Sequence, residues 1–381
     1  MIRANAPSRR CKAPDGIGGL FARRKTADAI GGFTGASRAI LVAVLCITII
    51  ANAAAAPPTS PAPTESFTPK LDSGVELGLA YLAKQQRPDG SFEGPGPKVA
   101  MAGLVLMSFL AAGHAPDLGL YGSTVRRAID FLLEQAPDDG YFGKLDDGKM
   151  YGHGIVTLAL AEAHGVEPDP QRRDRIRAAL VKAVKVILDA QKVPKDPHHA
   201  GGWRYEPSSA DSDLSLSGWN TLALRAAKNI GLDVPTEAVE KAVAYVLRCY
   251  HKDRRGFACE PGGEPTAGMT GVAVLNLYLL AGAERDEVKA GAAFLRERPV
   301  KDDSRFPYYS AYYATQAAYQ AGGETWQVVW SSTQDWLLAS QMPDGGWPQS
   351  RNGEEPGRTY ATSMAVLTLA VPYRLLPIYQ R

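Results

Sequence analysis

Pro88-Asp89-Gly90-Ser91-Phe92 and Pro343-Asp344-Gly345-Gly346-Trp347 are two copies of one short turn, an acidic residue followed by glycine and an aromatic. Related copies stand at Asp138-Asp139-Gly140-Tyr141-Phe142, Gly201-Gly202-Trp203 and Arg255-Gly256-Phe257, each between two helix-like stretches. The period is roughly fifty residues. At that spacing each unit is one supersecondary element that buries its apolar face only by stacking on its neighbours. Glycine lets the turn take a positive φ, and the aromatic is placed to pack under the next helix.

Outward from the turns, the apolar spacing predicts twelve helices in six pairs. These are Val75 to Gln86 with Val99 to Gly113, Val125 to Gln135 with Tyr151 to His164, and Arg172 to Gln191 with Leu214 to Asn229. The others are Thr236 to Tyr250 with Ala267 to Gly282, Glu287 to Glu297 with Tyr309 to Gly322, and Trp326 to Gln341 with Thr359 to Ala370. No run alternates with the period of a strand. Val239, Ala242, Val243 and Val246 form one apolar face, as do Trp326, Val329, Trp330 and Leu337. Gly113, Gly165, Gly231 and Gly282 suit left-handed C-terminal positions, and Pro343 and Pro372 end helices. The first helix of a pair carries charge on one face (Arg126, Arg127 and Glu134; Lys182, Lys185 and Asp189). The second is apolar or small nearly all round, as in residues 99–106 and 268–275. A helix without a polar face is buried. The expectation is an all-α fold, an α/α toroid of about six hairpins, with amphipathic outer helices ringing apolar inner ones. Inner helices near fifteen residues make a barrel about 20 Å deep at 1.5 Å per residue.

Residues 1–56 have a different character. Arg9, Arg10, Lys12, Arg23, Arg24, Lys25 and Arg38 precede an uncharged run from Ala39 to Ala56 that ends in small residues. Basic, apolar, then small is the pattern of an export signal, and the run is also long enough to serve as a retained membrane anchor. No lipobox fits around Cys46. Residues 57–70, rich in proline, threonine and alanine, read as an extended linker, leaving 71–381 for the toroid. The leader holds eight of 42 basic and two of 40 acidic residues; the remainder carries 34 against 38, a net of −4. The folded part thus lacks the basic footprint of a nucleic-acid binder. Of its cysteines only Cys249 and Cys259 lie beyond the leader, where an oxidising compartment would permit a bridge between them. The export pattern implies a periplasmic, secreted or membrane-anchored protein.

The helix, glutamine and turn together resemble the repeat of squalene and hopene cyclases and of protein prenyltransferase β subunits. That repeat has an aromatic-aliphatic pair near the end of an outer helix, then glutamine, glycine and tryptophan or phenylalanine. Tyr81-Leu82, Gln86, Gly90 and Phe92 fit it, as do Trp336-Leu337, Gln341, Gly345 and Trp347. The second and third copies keep Gln135 and Gln191 with their glycines, and the fourth and fifth are degenerate. The resemblance spans nearly everything after Leu71 and implies a terpenoid cyclase-like toroid. It implies an isoprenoid or other apolar small molecule as ligand, cyclised through protonation. Two other functions remain open: a non-catalytic toroidal scaffold or binding protein with an envelope partner, and a prenyltransferase-like transferase. Neither a cofactor nor a metal is implied.

The inner helices begin just after the turns, so their first residues ring one mouth, where function is expected. Hopene cyclases carry an Asp-x-Asp-Asp acid motif at such a place. This chain has Asp211-Ser212-Asp213-Leu214, so Asp213 with Asp211 is the candidate acid, and Leu214 replaces the last aspartate. Asp213 is equally placed to be a helix N-cap. Carbocation chemistry needs aromatic faces, whose quadrupole attracts positive charge. Candidates are Trp203, Tyr205 and Trp219 near the third inner helix, and Tyr308, Tyr309, Tyr312, Tyr313 and Gln316 on the fifth. Metal ligation by Cys249, His251 and Cys259, or by His198 and His199, is the weaker reading of those residues. His153 and His114 read as lone packing residues. Arg204, Arg254, Arg255, Arg305 and Arg358 lie near turns, where they suit a diphosphate or carbohydrate acid or simply solvent.

Overall fold

The computed structural model describes residues 68–300 and 304–380. The leader and nearly all of the linker lie outside the described residues. Twelve helices follow in order: α1 (Pro69–Lys84), α2 (Lys98–Ala111), α3 (Gly122–Glu134), α4 (Lys149–Val166), α5 (Pro170–Lys192) and α6 (Leu214–Asn229). Then come α7 (Thr236–Arg248), α8 (Ala267–Ala281), α9 (Asp286–Glu297), α10 (Pro307–Ala321), α11 (Gly323–Ser340) and α12 (Gly357–Leu369). The even-numbered helices form the inner ring. Each packs on the next, and α12 packs back on α2, closing the circle. The odd-numbered helices lie outside, each against its own inner partner and a neighbouring one. The reason is in the side chains: in α2 every residue after Lys98 is buried, whereas α3 buries one face, exposes Ser123 and Glu134 and leaves Arg126 half-buried.

The turns fasten one hairpin to the next. Gly90, Gly140, Gly201 and Gly345 have φ between 80° and 89°, and a Cβ on them would strike the backbone of Arg127, Lys182, Lys241 and Leu77 respectively. Each glycine therefore lies flat on the following outer helix, and Gly345 lies on α1. Three glutamines complete the clamp. Gln86 Nε2 donates to Gly90 O and Thr124 O, Gln191 Nε2 to Gly201 O and Ala238 O, and Gln341 Nε2 to Gly345 O and Gly74 O, at 2.8–3.3 Å. In each case the second carbonyl lies three residues before the one that the glycine touches. Trp203 and Trp347 sit beneath, their Nε1–H groups donating to Ile187 O and Leu337 O.

Three sequence expectations change. Gly165 lies inside α4 and takes no left-handed φ, since the helix runs on to Val166. The fourth turn opens into a two-stranded hairpin, β1 (Tyr250–His251) and β2 (Gly256–Phe257), with Arg255 itself at φ 56°. Finally, Cys249 keeps a free, buried thiol, so it is not bridged to Cys259. The hairpin register explains this: Ala258 N–H bonds to Cys249 O, so Ala258 stands opposite Cys249, and the next residue points to the other face. Burial pushes the Cys249 thiol up to about 12.

The end of the barrel away from the turns is floored by the C-terminal segment. Ile378 N–H donates to Glu162, Gln320 Nε2 to Tyr379 O at 3.1 Å, and the Tyr379 and Tyr312 hydroxyls bond to each other.

Candidate functional site at the inner rim and axis

All inner helices start on the turn side, and several of their free N–H groups are closed by the loop of the next repeat. Val99 N–H donates to Asp146 Oδ2 (2.6 Å), Met150 N–H to Tyr205 O (2.8 Å), and Leu214 N–H to Cys259 O (2.7 Å). Tyr308 and Tyr309 donate to Glu355 (3.3 and 2.9 Å), and the Thr359 hydroxyl donates to Glu93 O. The rim is thus laced around the ring, with two buried or half-buried acids among the fastenings.

Asp213 is the N-cap of α6 and fully buried. One oxygen accepts from Leu216 N–H (3.0 Å) and the Ser215 hydroxyl (2.7 Å), and the other faces Arg204 at 3.1 Å. Arg204 also holds Glu260 (2.7 Å) and reaches Asp211 at 3.6 Å. Burial raises the Asp213 carboxyl above its usual range, and Arg204, Leu216 N–H and Ser215 pull it back. Both oxygens are engaged, so the cap and ion-pair roles are present in the geometry. Asp211 is more exposed, at the edge of the cluster.

Glu355 is a rim residue that the motifs do not flag. It is 2% exposed, and burial pushes it up to about 7 against the pull of the Tyr309 and Tyr308 N–H groups. Its only sequence signal is an acidic residue just ahead of an inner helix, one residue before the N-cap Pro356, whereas Asp213 is itself the N-cap of its helix.

Below the rim, the inner helices bring aromatics together on the axis. Trp219 of α6 stacks on Tyr312 of α10 (centroids 6.1 Å, planes 13° apart) and meets Tyr313 edge-on at 5.3 Å. Tyr309 and Tyr313 are 4.8 Å apart, and Tyr151 of α4 meets Trp219 edge-on at 6.3 Å. Gln316 is buried on the same helix. Tyr151 and Tyr379 join this group without having been singled out in the sequence, because the pairing of α4 with α6 and the folding back of the tail are not local properties.

Other sequence candidates fall elsewhere. Tyr308 turns outward, its ring on Trp336 of α11 and its hydroxyl donating to Pro348 O. Trp203 lies under its turn against α5, away from the axial cluster. Tyr205 lies at the rim beneath Arg204, whose guanidinium is 5.3 Å from the ring centroid. His199 bonds the Ser212 backbone, and among the described residues no group of three or more His, Cys, Asp or Glu is placed to hold a metal ion. His153 is fully buried, Nε2 bonded to Ala183 O. The arginines near the turns are matched by carboxylates: Arg254 by Glu264, Arg305 by Glu354 and Arg358 by Asp344. A cavity of about 200 Å³ opens on the outer wall between the Gly140 turn and α5, remote from this chemistry.

No curated protein shows significant sequence similarity to the chain. Among solved structures, D-mannose isomerase is similar with a TM-score of 0.59 and 12% identity, over 82% of this chain and 98% of that one. An inactive α-1,6-mannanase variant of Salegentibacter sp. HEL1_6, in complex with α-1,6-mannotriose, has a TM-score of 0.58 and 11% identity over 80% and 99%. A protein from Actinoplanes has 0.51 and 16% over 79% and 98%. At such identities the likeness is one of fold. The family model of the prenyltransferase alpha-alpha toroid domain matches residues 70–306, more than half of the chain and four of its turns, and the chain belongs to that family.

Proposed function

We propose that this toroid binds an isoprenoid or similarly apolar small molecule along its axis, entered from the rim where the inner helices begin. The aromatic column of Trp219, Tyr312 and Tyr313 carries the reading, because stacked and edge-on rings on facing inner helices offer π-faces to an unsaturated chain or a developing cation. In its catalytic form, a rim carboxyl protonates the ligand and cyclisation follows. Asp213, with Asp211 beside it, is the acid by sequence position; Glu355 has the environment of a protonated acid near neutrality. The rival form is binding without turnover, in a scaffold of the cell envelope reached through the N-terminal segment. It is favoured by one observation, the double engagement of Asp213 as cap and Arg204 partner.

Native mass spectrometry and organic extraction of the full-length protein test the reading directly. A retained apolar molecule, or saturable binding of squalene or a shorter polyprenyl, is the expected result. Absence of both, with the folded protein in hand, would sink it. Conversion of the bound polyprenyl, lost in Asp213→Asn or Glu355→Gln, separates catalysis from binding.

A further inference from the structure

Three polar atoms in the aromatic column complete no hydrogen bond: the hydroxyls of Tyr309 and Tyr313 and the Nε1–H of Trp219. Their side chains are 4%, 0% and 1% exposed, and their rings touch in sequence, Tyr309 to Tyr313 to Trp219. The Tyr151 hydroxyl approaches both Tyr309 and Trp219 and acts on each, but at contacts too long or too oblique to count as a completed hydrogen bond. Buried polar groups are nearly always satisfied, because leaving one unpaired forfeits its hydration without return. Three on one cluster mark a place where another molecule supplies the partner.

The surroundings say what that molecule carries. The charged groups acting on Tyr309, Tyr151 and Tyr360 are the carboxyls of Asp213 and Glu355. Arg204, the cation paired with Asp213, already serves three carboxylates. An anionic head would meet like charge, whereas a neutral oxygen can accept from the indole N–H and exchange bonds with the phenols.

Building on the isoprenoid reading, we propose that the axis selects an apolar molecule bearing a neutral oxygen, of the prenyl alcohol type. Its oxygen is held by Trp219, Tyr309 and Tyr313, and its chain lies along the Tyr312 side of the column. A purely hydrocarbon ligand would leave all three atoms unpaired, and a diphosphate would bring charge to a site where Arg204 is already taken up by Asp211, Asp213 and Glu260.

The test compares three probes on the full chain by calorimetry: geranylgeraniol, the matching C20 hydrocarbon and geranylgeranyl diphosphate. The alcohol is expected to bind at least about tenfold tighter than either of the others, the effect of one to two hydrogen bonds. Tyr309→Phe/Tyr313→Phe removes only the hydroxyls. It is expected to fold, to melt higher than the parent without ligand, and to narrow the alcohol-to-hydrocarbon ratio to within about threefold. Equal binding of alcohol and hydrocarbon overturns the proposal while leaving the isoprenoid reading intact, as does a ratio unchanged in the double variant. A diphosphate that binds best, or a double variant no more stable than the parent, also overturns it. Failure of all three probes removes both.

Discussion

Glu162 carries a pH dependence that one substitution can isolate. It is 3% exposed beneath the barrel floor, accepts from Ile378 N–H at 3.3 Å, and is pushed up by burial to about 8 from an ordinary 4.5. The folded state then holds a proton that the unfolded chain releases. Its stabilising contribution is complete below about pH 4.5 and is lost as pH rises through about 8, at no more than about 1.4 kcal/mol per pH unit. Glu162→Gln should match the parent near pH 4.5 and exceed it at pH 9 by about 2 kcal/mol or more in chemical denaturation; a difference that is flat with pH would refute this. His153 acts in the other direction, because burial lowers it to about 4 from 6.5. Its neutral form is favoured by folding, so that contribution is present above pH 6.5 and fades as pH falls through about 4. At this scale Asp213 as an N-cap was legible from its place before an apolar run. The engagement of its second oxygen by Arg204 was not, nor was Glu355, whose partners belong to a helix 46 residues earlier in the chain.

The hairpin turn is the element whose chemistry the sequence states most openly, and its substitutions should grade accordingly. Gly345→Ala forces a side chain into a left-handed backbone and against the Leu77 carbonyl, with an expected loss of about 3 kcal/mol or more. Gln191→Ala leaves the Gly201 and Ala238 carbonyls without their shared donor, with an expected loss of about 2 kcal/mol. Gln135 ends α3 through its backbone N–H, bonded to Phe131 and Leu133, and a cavity stands beside its turn. Gln135→Ala should therefore change stability by less than about 0.5 kcal/mol. Equal losses at 135 and 191, measured by urea denaturation, would contradict the clamp. Helix pairing, turn positions and the buried character of the inner helices were legible because they follow from local periodicity. The β1–β2 hairpin was not, being two residues per strand with no alternation to read.

For the whole molecule, closure is the decisive event: α12 returns to α2, and Gly345 settles on α1 through Gln341 bonded to Gly74. The tail then seals the floor, with Ile378 and Tyr379 buried and Arg225 donating to Ile378 O. Removal of residues 374–381 should bare Tyr312, Gln320 and Glu162, lower the melting temperature by several degrees, and raise binding of a hydrophobic dye. An unchanged melting curve would show that the tail is an appendage rather than a floor. What the sequence determined by itself is the toroid, since periodic apolar faces and glycine turns constrain each hairpin within its own fifty residues. Tertiary structure alone decided which aromatics meet on the axis, that Cys249 stays free, and which buried polar atoms lack partners. Those outcomes depend on helices brought side by side across the ring, where contact is set by three-dimensional packing and leaves no pattern along the chain.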